Sequence, residues 1–169
     1  MPVWLSVTLW AIVGVLACWG MWRGWHRLVR ESAAVVPSVP AVPDDLGATR
    51  LGPLEATYVS STTAGDWLGR VAAHDLGSRC AAQVEVHDAG VLLRRRGASD
   101  LFVPAERLRA VATAPGMAGK FMGGDGLVVL TWDPGAAAAA LDTGLLVRHR
   151  DERPALVAAV RALIPGEAA

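Results

Sequence analysis

The stretch Gly116–Gly126, GMAGKFMGGDG, places five glycines in eleven residues around Lys120, the only lysine of the chain. Glycine lets backbone amides approach an anion closely and lysine adds charge, so the chemistry suggested is a phosphate cradle. The magnesium-binding form of such a loop needs a glycine, four residues, Gly-Lys and then serine or threonine. Here Ala114 holds the first place and Phe121 follows the lysine, which excludes that form. Two readings remain: an amide nest using Gly116, Gly119 and Lys120, and a hairpin connection whose glycines supply positive φ. The connection is the plainer of the two.

Arg94, Arg95 and Arg96 end a run of apolar residues beside a turn. Successive strand residues face opposite sides, so Arg94 and Arg96 share one face and Arg95 takes the other. Under an anionic leaflet, exposed arginines add about 1 kcal/mol of attraction each. Asp88 and Asp100, close in sequence, are the expected ion-pair partners, and a solvated strand end is the simpler reading. His26, His74, His87 and His149 are scattered without zinc spacing. Ser60, Ser61, Thr62, Thr63 and the pair His74–Asp75 come with no nucleophile elbow or oxyanion loop, and read as strand-edge hydroxyls and a helix-end pair. Cys18 and Cys80 are not expected to pair, and Trp67 and Trp132 read as core. The sequence therefore calls for no catalytic residue, no metal and no cofactor, and an enzyme is not expected. The 16 basic and 16 acidic residues balance at a pI near 6.9, so no overall field recruits nucleic acid.

The elements that would position these residues begin with Val3 to Trp22, twenty residues without a charge, long enough as a helix to span a hydrocarbon core of ~30 Å. No basic n-region precedes it and tryptophans follow it, which fits an uncleaved transmembrane anchor better than a signal peptide. Arg23, Arg27 and Arg30 crowd its far end, so the expected orientation is amino terminus out and carboxyl terminus in, in the inner (plasma) membrane. Trp19, Trp22 and Trp25 recur there at helical spacing as an interfacial belt. Gly20 and Gly24 form a GxxxG at the membrane edge, where it promotes helix pairing less well than at mid-span. Ser6 and Thr8 are expected to hydrogen-bond back to their own helix.

The chain divides as residues 1–30, anchor and basic flank; 31–49, a Pro/Ala-rich linker; and 50–169, a single folded domain. Pro37, Pro40 and Pro43 predict an extended tether. Within the domain, Leu54–Ser61 reads as a first strand. Trp67, Leu68, Val71 and Ala72 then fall at helical spacing after Asp66, a candidate cap, predicting a short helix or irregular excursion. Ala82, Val84 and Val86 alternate with Gln83, Glu85 and His87, a strand with its polar set toward water. Asp88–Gly90 closes a hairpin into Val91–Arg95. Further strands are expected at Leu101–Val103, Leu108–Ala112, Leu127–Trp132 and Ala139–Leu146. Asp151–Ile164 reads as an amphipathic helix with Leu156, Val157, Val160, Leu163 and Ile164 on one face.

An antiparallel bent sheet or barrel of about seven strands capped by a C-terminal helix is a specific order. The run GVLLRRRGASDLFVPAERLRAV, with Pro104, Leu108 and Val111, resembles the strand, turn and strand pattern of bacterial pleckstrin-homology-like (PH-like) domains. The whole chain is similar to actinobacterial single-pass membrane proteins that carry such a domain and are often labelled transporters or export proteins. TYVSSTTAGDWLGRVAAHDLG, Thr57–Gly77, and GMAGKF, Gly116–Phe121, carry that likeness. The resemblance implies a PH-like fold over residues 54–164 and a binding role, with no catalytic residues to transfer. The expected function is a membrane-anchored cytoplasmic scaffold or adaptor for a protein partner. Recognition of an anionic lipid headgroup is the first alternative, and an accessory subunit of a transport system the second.

Overall fold

A computed structural model describes residues 3–36, 38–117, 120–121, 126–135, 139–164 and 166; within these, the side chains of residues 3, 5, 6, 25, 27–35, 67, 68, 120 and 121 lie outside the description. Helix α1, Val3–Val35, contains a window, Val7–Gly24, long and apolar enough to cross a membrane, and none of that window is buried against the rest of the chain. An apolar N-terminal helix of this kind serves as an anchor or a signal sequence. The Thr8 hydroxyl donates to the Trp4 carbonyl at 2.8 Å, one turn back, as expected of it.

The segment from Ser32 is not wholly the tether its prolines suggest. Helix α1 continues through Val35. Val36 is then fully buried in the domain core, and Val39 packs against it. Residues 38–48 follow without helix or strand.

Strand β1, Thr49–Thr63, organises the sheet. Its first part pairs with β3 (Cys80–His87) and its later part with β10 (Leu141–Val147), so one long strand belongs to both halves. From β3 the sheet runs to β4 (Gly90–Arg95) and β5 (Leu101–Pro104); from β10 it runs to β9 (Leu127–Trp132) and β6 (Leu108–Ala114). All these pairings are antiparallel. Strands β5 and β6 are the two edges, joined by a 3-10 turn over Ala105–Arg107, so the sheet bends without closing into a barrel. The bend in β1 is made at register shifts, one of them at Gly52, where φ is +107° and a Cβ would meet the Val84 carbonyl at 2.5 Å.

The alternation of β3 is realised: Val84 and Val86 are fully buried and Gln83 is exposed, although His87 is buried at 6% exposure, not turned to water as expected. Trp132 is core, as expected, whereas the side chain of Trp67 lies outside the described residues. The predicted helix after Thr63 is instead strand β2 (Asp66–Arg70), folded back on the end of β1, and a 3-10 turn over Ala73–Asp75. Asp66 caps no helix; its carboxylate accepts from the Gly69 amide at 3.1 Å. Helix α2, Arg153–Arg161, lays Leu156 and Val160 against β1, β3 and β6, with Leu163 and Ile164 beyond its end completing the plug. A nine-residue helix is marginal alone, so its stability comes from this apolar face.

Candidate functional site

Three strands and one loop build a groove of about 440 Å³ on the outer face of the sheet, lined by residues of β1, β3 and β4 together with Arg148. The register explains its shape. Glu55, Gln83 and Arg94 stand side by side across β1, β3 and β4, and Thr57 pairs with Ala81, to whose carbonyl the Arg96 amide donates at 2.9 Å. Ala81 is short between longer neighbours, so the surface dips there. Arg94 and Arg96 therefore line one groove, as their spacing predicts, and the sequence reading missed Arg148, which joins them from beyond β10.

The charges in the groove are largely matched, by partners other than those expected. Arg94 Nε reaches Glu85 Oε1 at 2.8 Å, and His87 Nε2 reaches Glu85 Oε2 at 3.1 Å. The Arg94 hydrogen bond holds the Glu85 carboxyl below its usual range, against the opposing effect of burial, and Glu85 in turn raises Arg94. Arg148 pairs with Glu55 at 2.9 Å. Asp88 instead binds Arg50 at 2.7 Å, and Asp100 accepts from the Arg95 backbone amide. Arg96 is exposed and meets no carboxylate among the described residues.

Arg95 points the other way. It is 6% exposed, its guanidinium lies 4.8 Å from the Tyr58 ring, and it donates to the carbonyls of Ser99 (2.7 Å), Asp75 (3.0 Å) and His74 (3.2 Å). His74 and Asp75 are both left-handed, at φ 53° and 57°, so the helix-end reading of this pair gives way to a strained turn clamped by Arg95. His74 Nε2–H donates outward to the Val36 carbonyl at 2.9 Å.

Beneath the turn runs a chain of buried hydroxyls. Tyr58 OH donates to the Leu76 carbonyl at 2.8 Å. Each hydroxyl has one proton, so Ser61 must donate to Tyr58 (2.7 Å), Thr143 to Ser61 (2.7 Å), and Trp132 Nε1–H to Thr143 (2.9 Å). All four side chains are fully buried, and burial pushes the Tyr58 phenol up to about 12, against the Ser61 hydrogen bond and the Arg95 charge. Ser60, Ser61 and Thr62 are thus central and inaccessible, which corrects their reading as strand-edge hydroxyls: β1 lies between two partners.

The glycine segment forms a hairpin in which β7 (Gly116–Met117) pairs with β8 (Lys120–Phe121). Met117 anchors it against Val59 and Leu127, and a Cβ on Gly144 would meet Met117 Sδ at 2.8 Å. Val59 lies two residues along β1 from Thr57, so this anchor borders the arginine groove. Gly116 is buried; Gly119 and the Lys120 side chain lie outside the described residues, and Lys120 is not among the residues lining the groove. On α1, Arg23 stacks over Trp19 at 5.6 Å and Trp22 meets His26 edge-on at 4.5 Å. Among the described residues, no three His, Cys, Asp or Glu side chains gather as metal ligands do.

Residues 36–161 match the family model described as "Bacterial PH domain-like". No curated protein and no solved structure matches the chain.

Proposed function

Because the chain belongs to the bacterial PH domain-like family, whose fold suggests an interaction module and not a catalyst, we propose that it is a membrane-anchored adaptor that holds a partner protein at the inner membrane face. One observation carries the choice of a protein partner: two of the groove's three outward arginines, Arg94 and Arg148, are already matched, which leaves Arg96. A pocket tuned for a phosphate leaves its donors open, whereas Glu85 engages Arg94 and Glu55 engages Arg148. A shallow surface of paired charges around short side chains suits the polar rim of a protein interface. On this reading Val7–Gly24 is the single span, and Arg23, Arg27 and Arg30 keep the domain on the cytoplasmic side. Trp19, Trp22 and Trp25 then lie at the headgroups.

A second reading, binding of an anionic headgroup, draws on the convergence of Arg94, Arg96 and Arg148 on one groove. An accessory role in transport has less behind it. Within the apolar window Thr8 is satisfied by its own helix and Arg23 stands at the end.

The experiment places a photo-crosslinking amino acid at Gln83 of the full chain in its own membrane, with an exposed control position at Arg70. The adaptor reading expects a discrete protein adduct at Gln83 alone. Lipid adducts alone, lost in the Arg94→Ala, Arg96→Ala variant, would replace it with the headgroup reading.

A further inference from the structure

Helix α1 carries two features that the domain does not use. The first is a shallow groove of about 580 Å³ on its surface, lined by Ala11, Gly14, Val15, Cys18, Trp19 and Trp22. The small residues leave the hollow, and the two indoles bound its carboxyl-terminal end. A Cβ on Gly14 would meet nothing within 4 Å, so no packing within the chain requires glycine there. From Ala11 to Trp22 the helix rises ~16 Å, about the depth of one leaflet of a ~30 Å hydrocarbon core.

The second feature is a basic face directly above that groove. At ~100° per residue, Trp19, Arg23, Arg27 and Arg30 fall within ~80° of one another around the helix axis. The Arg23 guanidinium lies 5.6 Å from the Trp19 ring, so a cation is held over a residue that also lines the groove. Among the described residues Arg23 is in no ion pair, and the first acidic residue of the chain, Glu31, comes eight positions later. His26, edge-on to Trp22 at 4.5 Å, brings a ring N–H donor to the same end.

We infer that groove and basic face together form a binding site for one anionic phospholipid. An acyl chain lies along Ala11, Gly14 and Cys18, and Arg23 holds the headgroup phosphate, with Arg27 and Arg30 continuing the same face. The guanidinium offers a planar fork of N–H donors that matches phosphate oxygens, and Trp19 behind it limits where the fork can point. A zwitterionic lipid carries the same phosphate but adds an ammonium group, which the arginines repel. A lipid of net negative charge is therefore selected. Small residues on a membrane helix also suit a second copy of that helix. Charge decides against it: a parallel copy would bring another set of arginines to the same depth, whereas a phosphate neutralises the set already there.

The site exists only if Val7–Gly24 is the span proposed above, and it is independent of the arginine groove on the domain. The full chain, extracted in mild detergent, is mixed with equimolar phosphatidylglycerol and phosphatidylcholine, and the lipid it retains is read by native mass spectrometry. The expected result is one phosphatidylglycerol per chain, retained at least fivefold over phosphatidylcholine. Arg23→Gln should cut that preference at least fivefold. Gly14→Leu, which fills the groove with every charge in place, should lower phosphatidylglycerol retention as much. Arg96→Gln, in the domain groove, should change nothing. Glycerophosphoglycerol, the soluble headgroup, should not displace the lipid at millimolar concentration, because it has no chain to lay in the groove. Equal retention of the two lipids, an effect under twofold in either helix variant, a loss in Arg96→Gln, or displacement by the soluble headgroup would each overturn the site. So would a dimer peak abolished by Gly14→Leu, which gives the groove to a second helix. The mass of the chain separates this failure from failure of the anchor: a chain shortened by α1 removes the span, and an intact chain without lipid preference removes this site alone.

Discussion

Replacing Arg95 by methionine isolates the buried half of the arginine run. The variant keeps the aliphatic stem and removes the guanidinium, leaving the carbonyls of Ser99, Asp75 and His74 without their donor and Tyr58 without its cation. A hydrogen bond from a charged donor contributes about 1.5–3 kcal/mol, and the two shorter contacts are of that kind. The cation–π contact adds about 0.5–1 kcal/mol, and the desolvation of a guanidinium at 6% exposure offsets part of the sum. The net expected loss is about 3 kcal/mol, or ~10 °C in melting temperature for a domain of this size. Pulse proteolysis of the detergent-solubilised full chain over a urea series reads it directly. Arg94→Met and Arg96→Met are the internal controls and should each cost less than about 0.5 kcal/mol, since both side chains face water. A loss below about 1 kcal/mol in Arg95→Met, or equal losses at all three positions, would refute the assignment of Arg95 to the interior. Full rescue by lysine would refute the fork geometry, because an ammonium cannot reach three divergent carbonyls at once.

Further outcomes test other parts of the molecule. Tyr58 is the only tyrosine of the chain, so tyrosinate absorbance should stay absent well above pH 10 and then appear together with unfolding. A neutral phenol preferred in the fold contributes stability that is complete below the unfolded pKa of about 10 and is lost as pH rises toward about 12. Glu85 has the opposite sign: its lowered pKa contributes stability above about pH 4.3 that fades as pH falls through the folded value, so Glu85→Gln should flatten the acid limb of a stability–pH curve. Ser61→Ala breaks the hydroxyl chain in its middle and should cost about 2 kcal/mol by urea titration, while preserving the fold by circular dichroism. Leu156→Ala removes the fully buried centre of the helical plug and should cost about 3 kcal/mol.

What the sequence disclosed follows from the range over which each signal acts. Alternation is local, so Ala82, Val84 and Val86 announce the inner face of β3, and the same rule separates Arg95 from Arg94 and Arg96. Helical spacing is also local but ambiguous in short runs: Trp67, Leu68, Val71 and Ala72 fit a helix, yet the backbone pairs with β1 because an unfilled sheet edge was within reach. The partners of the arginines needed register. Glu85 faces Arg94 only once the hairpin at Asp88–Gly90 sets Gln83 opposite Arg94, and Arg148 reaches Glu55 across 93 residues. The hydroxyl chain is equally non-local, since Ser61 and Thr143 are 82 residues apart and belong together only through the pairing of β1 with β10.

If α1 is the anchor proposed above, the docking of Val36 under His74 changes how that anchor holds the domain. With Val7–Gly24 in the hydrocarbon layer, Trp25 to Val35 carries the helix ~16 Å further before it meets the domain. At that point the chain enters the core in place of a loose leash. On that reading the domain is mounted on a stalk, and rotation of the helix about its own axis would swing the domain with it. A flexible tether samples a hemisphere of heights; a stalk selects one. Two such chains brought together in the membrane would therefore present their arginine grooves at a common height and fixed azimuth. A partner whose binding surface stands at another height gains nothing from sharing the bilayer.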